Sequence, residues 1–356
     1  MKSVVTLNRN LAIAFVALVL LSAASYHNSV QRAERFERGQ KFLPNLNPDE
    51  IVRIEIAKGA EETVLRRTAD GDRFVLPSED GYRADNASVN RFVKDVLGLA
   101  LEKEVGEDPD LFAELGLAPV KGEEGESASE ETIDVTFLGA SDKEMVRFLV
   151  GSSPEDASGN YVRRVGDDQT IYLTDRQVYL GTDGDSFLEK EIVDVPRDSI
   201  RAIRGSGFQF VKEEGGELEL QEIPEGKKAS SEASQMKSAL SGLRFTEHHL
   251  ADASEVRGLA FDARLEVELD DGSGYVVDVA ERDSKHYLRI EGFHTAGRIT
   301  IARDASEEEV KATSEVLERA QELEEFNAFH GTWVYEVSEF TADRVRTAAS
   351  ELFEDA

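Results

Sequence analysis

The chain has 356 residues, a formal net charge of −31 and no cysteine. This length predicts about two domains, and 40% hydrophobic with 8% aromatic residues is enough to build cores, which excludes a globally disordered chain. The negative charge argues against nucleic acid or anionic headgroups as direct partners, because either would be repelled. The lack of cysteine excludes disulfides, thiolate catalysis, cysteine-ligated zinc and a lipoprotein anchor.

An apolar run follows a short basic segment at the amino terminus. Residues 1–10 contain Lys2 and Arg9, and residues 11–26 are almost all apolar or small. We predict that residues 11–26 form a single transmembrane anchor, with residues 1–10 as a cytoplasmic tail and the body outside the cytoplasm. The alternative is a cleaved signal peptide with residues 22–24 as its cleavage site. Residues 27–45 are predicted to be a juxtamembrane helix and linker.

Residues 46–191 are predicted to be a first α+β module. Short stretches of alternating polarity predict strands, and the helix between them has apolar residues at helical spacing, an N-cap at Asn86 or Ser88, and Gly98 at its end. Residues 121–130 are predicted to be an acidic Gly/Ser-rich loop, and a short helix is predicted at 187–190 to close the module. The predicted strands are 51–56, 63–67, 73–76, 133–137, 145–150, 161–165 and 171–173.

Residues 192–356 are predicted to be a second module with the same order of elements. Met236, Leu240 and Leu243 mark its helix. Residues 306–326 have no counterpart in the first module and predict an acidic inserted helix with an apolar stripe. This helix either packs on its own sheet or docks a partner. The predicted strands are 200–203, 208–211, 218–220, 265–269, 274–279, 287–290 and 333–337.

Short sequence matches between the two halves support a duplication. Pro48-Asp49-Glu50-Ile51-Val52-Arg53-Ile54 returns as Pro196-Arg197-Asp198-Ser199-Ile200-Arg201-Ala202-Ile203, and Gly116-Leu117-Ala118 returns as Gly258-Leu259-Ala260. Such internal similarity indicates a repeated structural unit. We therefore predict an α+β fold of two tandem related modules, each an antiparallel meander with a packed helix.

No motif in the sequence assigns chemistry, so we name no catalytic, cofactor-binding or metal-ligating residue. Glu247-His248-His249 resembles a metal site only weakly, because the spacing is not helical and no third ligand is evident; a loop with two solvated histidines is the interpretation we favour. Asp183-Gly184-Asp185 is followed by apolar residues and is interpreted as a turn rather than a calcium loop. Gly205-Ser206-Gly207 lies between strands and predicts a hairpin. Trp333 and Tyr335 are assigned to the sheet core rather than to a sugar platform.

Several of these motifs together resemble those of a bacterial family known as domain of unknown function 4340. They are the apolar amino-terminal segment, Pro48 to Ile54, Leu115-Gly116-Leu117-Ala118-Pro119, Gly159-Asn160-Tyr161-Val162-Arg163 and Ile171-Tyr172-Leu173. The resemblance covers nearly all of the first module and, more loosely, the second. It implies a membrane-anchored, extracytoplasmic protein, with some relatives associated with ABC-type transport systems, and it carries over no catalytic residues.

The sequence therefore leads to a hypothesis of a non-enzymatic accessory protein. It would be a single-pass protein of the bacterial inner membrane whose body lies in the periplasm and contacts other proteins of a transport or envelope complex. We expect no cofactor and no nucleic acid, and the sequence identifies no small-molecule ligand. The alternatives are a secreted soluble ligand-binding protein and an envelope hydrolase that uses carboxylates.

Overall fold

The computed structural model of the protein describes residues 36–118, 131–166, 170–213, 216–295 and 306–356, together with Ser22. The chain divides into two compact units, Met1–Glu189 and Lys190–Ala356, here called the first and second units. The rest of the predicted anchor and the predicted loop at 121–130 lie outside the described residues. Within the described part of the chain, no helix is both long enough and apolar enough to cross a membrane.

The first unit contains one nine-stranded sheet and two α-helices among its described residues. The helices are α1 (Asn86–Gly98) and α2 (Leu111–Glu114). The strands are β1 (Arg53–Lys58), β2 (Glu61–Arg67), β3 (Phe74–Leu76), β4 (Tyr82–Arg83), β5 (Leu101–Gly106), β6 (Ile133–Leu138), β7 (Glu144–Val150), β8 (Tyr161–Arg164) and β9 (Ile171–Thr174). Their order in the sheet is β4-β3-β2-β1-β6-β7-β8-β9-β5.

Helix α1 covers one face of this sheet because its buried residues recur at helical spacing. Val89, Phe92 and Val96 are buried, and the ring of Phe92 lies 6.4 Å from that of Phe137 on β6. Phe137 in turn lies 5.7 Å from Phe148 on β7. This face is therefore the core face, and the opposite face is here called the outer face.

The second unit contains an eight-stranded sheet, two small two-stranded sheets and three α-helices among its described residues. The helices are α3 (Ser231–Met236), α4 (Glu307–His330) and α5 (Glu339–Arg346). The strands are β10 (Glu191–Val193), β11 (Ile200–Gly205), β12 (Phe208–Lys212), β13 (Leu218–Leu220), β14 (Lys227–Ala229), β15 (Leu243–Arg244), β16 (Glu247–Leu250), β17 (Phe261–Leu269), β18 (Ser273–Arg282), β19 (Lys285–His294), β20 (Trp333–Val337) and β21 (Phe353–Asp355).

The two large sheets have the same connectivity. The order in the second unit is β13-β12-β11-β17-β18-β19-β20-β16, which matches that of the first unit strand for strand once its extra edge strand β4 is set aside. In each unit, three strands of the large sheet form a meander, a helix follows, the next strand of the large sheet pairs at its far edge, and four strands complete it. All pairs are antiparallel among the described residues, which confirms the predicted α+β class.

Most predicted strands are confirmed, but several local predictions were wrong. The N-cap of α1 is Asp85, whose carboxylate accepts from Ala87 N, rather than Asn86 or Ser88. The helix predicted at 187–190 is a 3₁₀ turn at Gly184–Phe187. The second-unit helix ends at Met236, because Leu240 lies in the turns that follow and Leu243 belongs to β15.

The predicted linker at 27–45 is also corrected over its described part. Residues 36–45 form turns, with Lys41 in an isolated bridge to Ala100. Phe42 is fully buried, and its ring lies 5.8 Å from that of Phe148. This segment is part of the first unit because its aromatic side chain fills the core.

Candidate functional site

In each unit, a loop after the far-edge strand crosses the outer face of the sheet. We call residues 107–118 the first lid and residues 251–260 the second lid. They follow β5 and β16, the equivalent strands of the two sheets. Gly116 and Gly258 occupy matching positions in the repeated Gly-Leu-Ala sequence, and both have positive φ, 67° and 73°.

The first lid is closed over its sheet. Leu117 is fully buried against Leu149 and Ile171. Arg163 on β8 is 5% exposed, its Nε donates to Leu117 O at 3.1 Å, and its guanidinium lies 3.9 Å from the ring centre of Phe112. The arginine therefore joins the sheet to the lid through a charge-assisted hydrogen bond and a cation–π contact.

Strand register identifies the equivalent positions in the second unit. Leu149 pairs with Arg163 on β8 and with Asp134 on β6. In the second sheet, Asp278 on β18 pairs with Arg289 on β19 and with Arg264 on β17. Arg289 therefore takes the place of Arg163, Asp278 that of Leu149, and Arg264 that of Asp134. The central position of this row is the apolar Leu149 in the first sheet. In the second sheet it is the carboxylate of Asp278, which lies between two arginines.

The second lid is anchored at its middle by Arg282. The two terminal nitrogens of Arg282 donate to Glu255 O and Arg257 O, both at 3.0 Å. Val256 is buried among Ala280, Tyr287 and Val334. Leu259, the counterpart of Leu117, is only half-buried. The lid is thus fixed at Val256 but does not seal the sheet near Arg289.

A cavity of about 640 Å³ lies beside the second lid, where β19 and β20 separate. The two strands pair only from His286 to Leu288, and the carboxyl end of α4 lies near the gap beyond. The volume falls in the range typical of small-molecule sites. The cavity is lined by Ala251, Val256, Arg257, Gly258, Leu259, Phe261, Arg264, Val276, Asp278, Arg289, Ile290, Glu291, Asn327, His330, Gly331, Trp333 and Val334.

Arg264 and Arg289 share one carboxylate within this cavity. Arg289 Nε donates to Asp278 Oδ2 at 2.9 Å, and Arg264 Nη1 lies 3.5 Å from Asp278 Oδ1. The Arg289 guanidinium also stacks 4.3 Å from the ring centre of Phe261. Asp278 is buried, but the side chains of Arg264 and Arg289 are 62% and 54% exposed. Two guanidinium groups are therefore held in place while part of each faces solvent.

Helix α4 packs on the core face of the second sheet through its carboxyl-terminal half. The Asn327 carboxamide donates to Gly292 O and accepts from Gly292 N, both at 2.7 Å, so it replaces a missing strand partner. Leu323 is buried, and Phe326 lies 5.2 Å from the ring of Tyr275. The predicted apolar stripe thus packs on the sheet only at its end.

The amino-terminal half of α4 is differently placed. A capping box begins the helix, in which Ser306 and Glu309 exchange hydrogen bonds. Residues 307–312 are all exposed, and Val310 and Leu317 are 44% and 48% exposed. These two residues are seven positions apart, so they lie on one side of the helix.

The histidines predicted to lie in a loop are on strand β16 instead. His249 shares a face with Glu247, and Glu336 on the neighbouring β20 brings a third possible ligand within 4.8 Å of them. Lys285 already supplies a cation there, with Nζ at 2.7 Å from Glu336 and 3.6 Å from Glu247. Its hydrogen bond to Glu336 raises the pKa of Lys285. The cluster is an ion-pair network built across strands.

The other sequence candidates have structural roles. Asp183 caps the 3₁₀ turn by accepting from Ser186 N, and residues 205–207 form the β11–β12 hairpin, as predicted. Tyr335 is fully buried with its hydroxyl 2.6 Å from His330 Nδ1, and Trp333 is 5% exposed, so the predicted core pair is confirmed. Sequence reasoning missed the Arg264–Asp278–Arg289 row. The recurrence of Tyr161-Val162-Arg163 as Tyr287-Leu288-Arg289 is the signal that points to it.

Comparison with known proteins gives one family and no closer relative. No curated protein and no solved structure matches the chain. A family model described as domain of unknown function matches residues 75–263, from β3 to the first residues of β17. The match includes the motifs at 115–119, 159–163 and 171–173 but not the one at 48–54. Because more than half of the chain is matched, the protein belongs to the domain-of-unknown-function family DUF4340.

Proposed function

We propose that this protein is a membrane-anchored, extracytoplasmic accessory protein that works through protein contacts rather than catalysis. In this proposal, residues 11–26 anchor it in a bacterial inner membrane and its body lies in the periplasm. Its partners are the subunits of an ABC-type transport or envelope complex. The apolar run at the amino terminus and the resemblance to other family members support this placement.

The shared connectivity of the two sheets supports a duplicated scaffold. Two units with one strand order are the expected product of a tandem duplication, as the sequence matches also indicate. Differences between the copies then mark where one copy gained a role. The largest difference between the units is the connection between β19 and β20, which carries α4. The equivalent connection in the first unit, between β8 and β9, is residues 165–170.

The exposed amino-terminal half of α4 is the observation that carries the proposal. Val310 and Leu317 form an apolar pair on a helix whose first turn holds three glutamates, Glu307, Glu308 and Glu309. Insertions into repeated units often bind partners. An acidic helix with two exposed apolar anchors fits a groove that is apolar at its centre and basic at its rim.

Co-purification of the full-length protein from detergent-solubilised membranes tests this function. We expect integral subunits of an ABC-type transporter to accompany the wild type, and Val310→Gln with Leu317→Gln to release them. Glutamine keeps the helix because its helix propensity is high. Tyr179→Gln, at a residue 83% exposed in the first unit, is the matched control and retains the complex. Recovery of monomer alone from the wild type across detergents contradicts the proposal.

A secreted soluble ligand-binding protein is the second candidate, and the cavity beside the second lid favours it. In that case the amino-terminal segment is a signal peptide. Amino-terminal sequencing of the mature protein separates the two functions. A chain that begins at Ser25 supports secretion, and a chain that retains residues 11–26 supports the anchored protein.

A further inference from the structure

We infer that the cavity beside the second lid binds a small organic monocarboxylate with an apolar body. This inference goes beyond the proposed docking function and does not depend on it. The argument starts from the row of Arg264, Asp278 and Arg289 on the outer face of the second sheet.

The two arginines have more donors than Asp278 can use. Each guanidinium carries five N–H groups, whereas one carboxylate offers about four lone-pair sites. Asp278 Oδ2 accepts a hydrogen bond from Arg289 Nε at 2.9 Å, and Asp278 Oδ1 lies 3.5 Å from Arg264 Nη1. Since both arginine side chains are more than half exposed, their remaining donors are open to a ligand. A carboxylate matches the fork geometry of these donors.

Charge selects a monoanion. Three arginines (Arg257, Arg264 and Arg289) and two carboxylates (Asp278 and Glu291) line the cavity, so its charged groups sum to +1. The whole chain carries −31, so the net charge of this lining is opposite in sign to that of the chain as a whole. A single carboxylate balances the excess, whereas a dianionic phosphate leaves one negative charge close to Asp278 and Glu291.

The remaining walls favour an apolar body. The apolar residues Leu259, Ile290, Trp333 and Val334 also line the cavity. Burial of apolar ligand surface against them contributes roughly 25 cal/mol per Å². At the equivalent place in the first unit, Leu117 and Arg163 close the lid over the sheet. The second copy thus combines an open lid with a charge pair that the first copy lacks.

Trp333 provides a direct test, because it is the only tryptophan of the chain and it lines the cavity. The full-length protein is reconstituted in phosphatidylcholine vesicles and titrated with 3-phenylpropionate, while tryptophan fluorescence is recorded. We expect a saturable change in fluorescence. The neutral analogue 3-phenylpropanamide is expected to bind at least about tenfold more weakly, since it loses a charge-assisted hydrogen bond.

Variants separate the arginine pair from other surfaces. Arg289→Gln and Arg264→Gln each leave Asp278 one arginine partner, so the carboxylate is not left without a cation, and each is expected to weaken 3-phenylpropionate binding about tenfold or more. Arg201→Gln changes an exposed arginine of the same unit outside the cavity and leaves binding unchanged. Equal binding of acid and amide, equal binding by all variants, or no saturation overturns the inference.

Discussion

The first and second units differ in how an equivalent arginine is used beside the loop that crosses the outer face of the sheet. Both have an outer sheet face with a loop across it, and both place an arginine at the same register position. In the first unit, Arg163 is buried and holds the lid through Leu117 O. In the second unit, Arg289 is largely exposed and holds a carboxylate instead. The same residue type is a structural clamp in one copy and a cavity wall in the other.

This difference shows that two sheets with the same strand order can carry different side chains at equivalent positions. The second unit has Asp278 at the position that Leu149 occupies in the first unit. It therefore lacks the apolar contact on which the first lid packs. The second lid is fixed farther along by Arg282 and Val256. The space left between these two points is the cavity. Substitutions at equivalent positions of the two units can test this difference.

The largest expected effect is at Arg163. Arg163→Ala removes a charged donor to Leu117 O and the stacking on Phe112, and we expect it to lower the free energy of unfolding by about 3 kcal/mol. Arg289→Ala is the matched control and costs about 1 kcal/mol or less, because the Arg289 side chain is more than half exposed and Asp278 keeps Arg264 as a partner. Urea denaturation measures both, and hydrogen exchange should rise at residues 107–118 in Arg163→Ala alone. Equal losses in the two variants contradict the comparison.

The second-largest expected effect on stability concerns α4, a helix of the second unit with no counterpart among the described residues of the first. A Cβ at Gly292 comes within 2.6 Å of Leu323 Cδ2, so in Gly292→Ala the buried Leu323 side chain, or the helix that carries it, must shift. We expect a loss of about 2 kcal/mol, as is typical of overpacking. Unfolding followed by Trp333 fluorescence gives the measurement.

A double-mutant cycle tests the cause of that loss. Leu323→Ala removes the clashing methyl group, so the double variant should lose less stability than the sum of the single variants. Strict additivity of the two losses shows that Gly292 acts through something other than its contact with Leu323.

A smaller effect is expected at Asp134, whose position in the second unit is taken by Arg264. Asp134 accepts two hydrogen bonds from Arg147, at 3.0 and 2.6 Å, and this pairing raises the pKa of Arg147. Asp134→Asn should cost about 1.5 kcal/mol of unfolding free energy, because the partly buried arginine loses its carboxylate. Arg264→Gln in the second unit serves as the control, with a change below about 1 kcal/mol. The reverse order of the two losses contradicts the assigned equivalence.

The sequence predicted the central strands of both large sheets and the edge strand β13, but it missed the edge strands β4, β5 and β16. Strands β6 to β9 and β17 to β20 are rich in β-branched and aromatic residues, which favour strands. The edge strands β5 and β16 are short and rich in charged or polar residues, so their alternation is weak. Leu240 and Leu243 have helical spacing with Met236 but are buried in turns and a strand. Spacing alone cannot distinguish these structures.

The candidate site could not be predicted from the sequence for a different reason. Arg264, Asp278 and Arg289 lie on three strands and become neighbours only through the register of the sheet. The cavity also depends on the point at which β20 separates from β19. Near this point the Asn327 side chain replaces β20 as the hydrogen-bond partner of Gly292, although the two residues are far apart in sequence. Local patterns report which face a residue occupies. They do not report which residue lies beside it.

The smallest effect is a pH dependence at the β17–β18 hairpin, beside α4. Burial raises the pKa of Asp271, but hydrogen bonds from the Ser273 hydroxyl and backbone N–H, together with nearby Arg319, outweigh it and leave the pKa below its ordinary value. A carboxyl group whose pKa is lowered by folding stabilises the fold above its unfolded pKa. That stability is lost as the pH falls from about 4 through the folded-state value.

Asp271→Asn removes this contribution. We expect a loss of about 0.5 kcal/mol at neutral pH, since the side chain is half exposed, and a smaller decline in stability below about pH 4 than in the wild type. Urea denaturation at a series of pH values measures both quantities. Asp70→Asn is a control from the first unit, because the hydrogen bond from Thr68 lowers the pKa of that fully exposed carboxyl group. If Asp271→Asn and the wild type lose stability in parallel as acid is added, the Asp271 carboxylate does not tie the hairpin to α4.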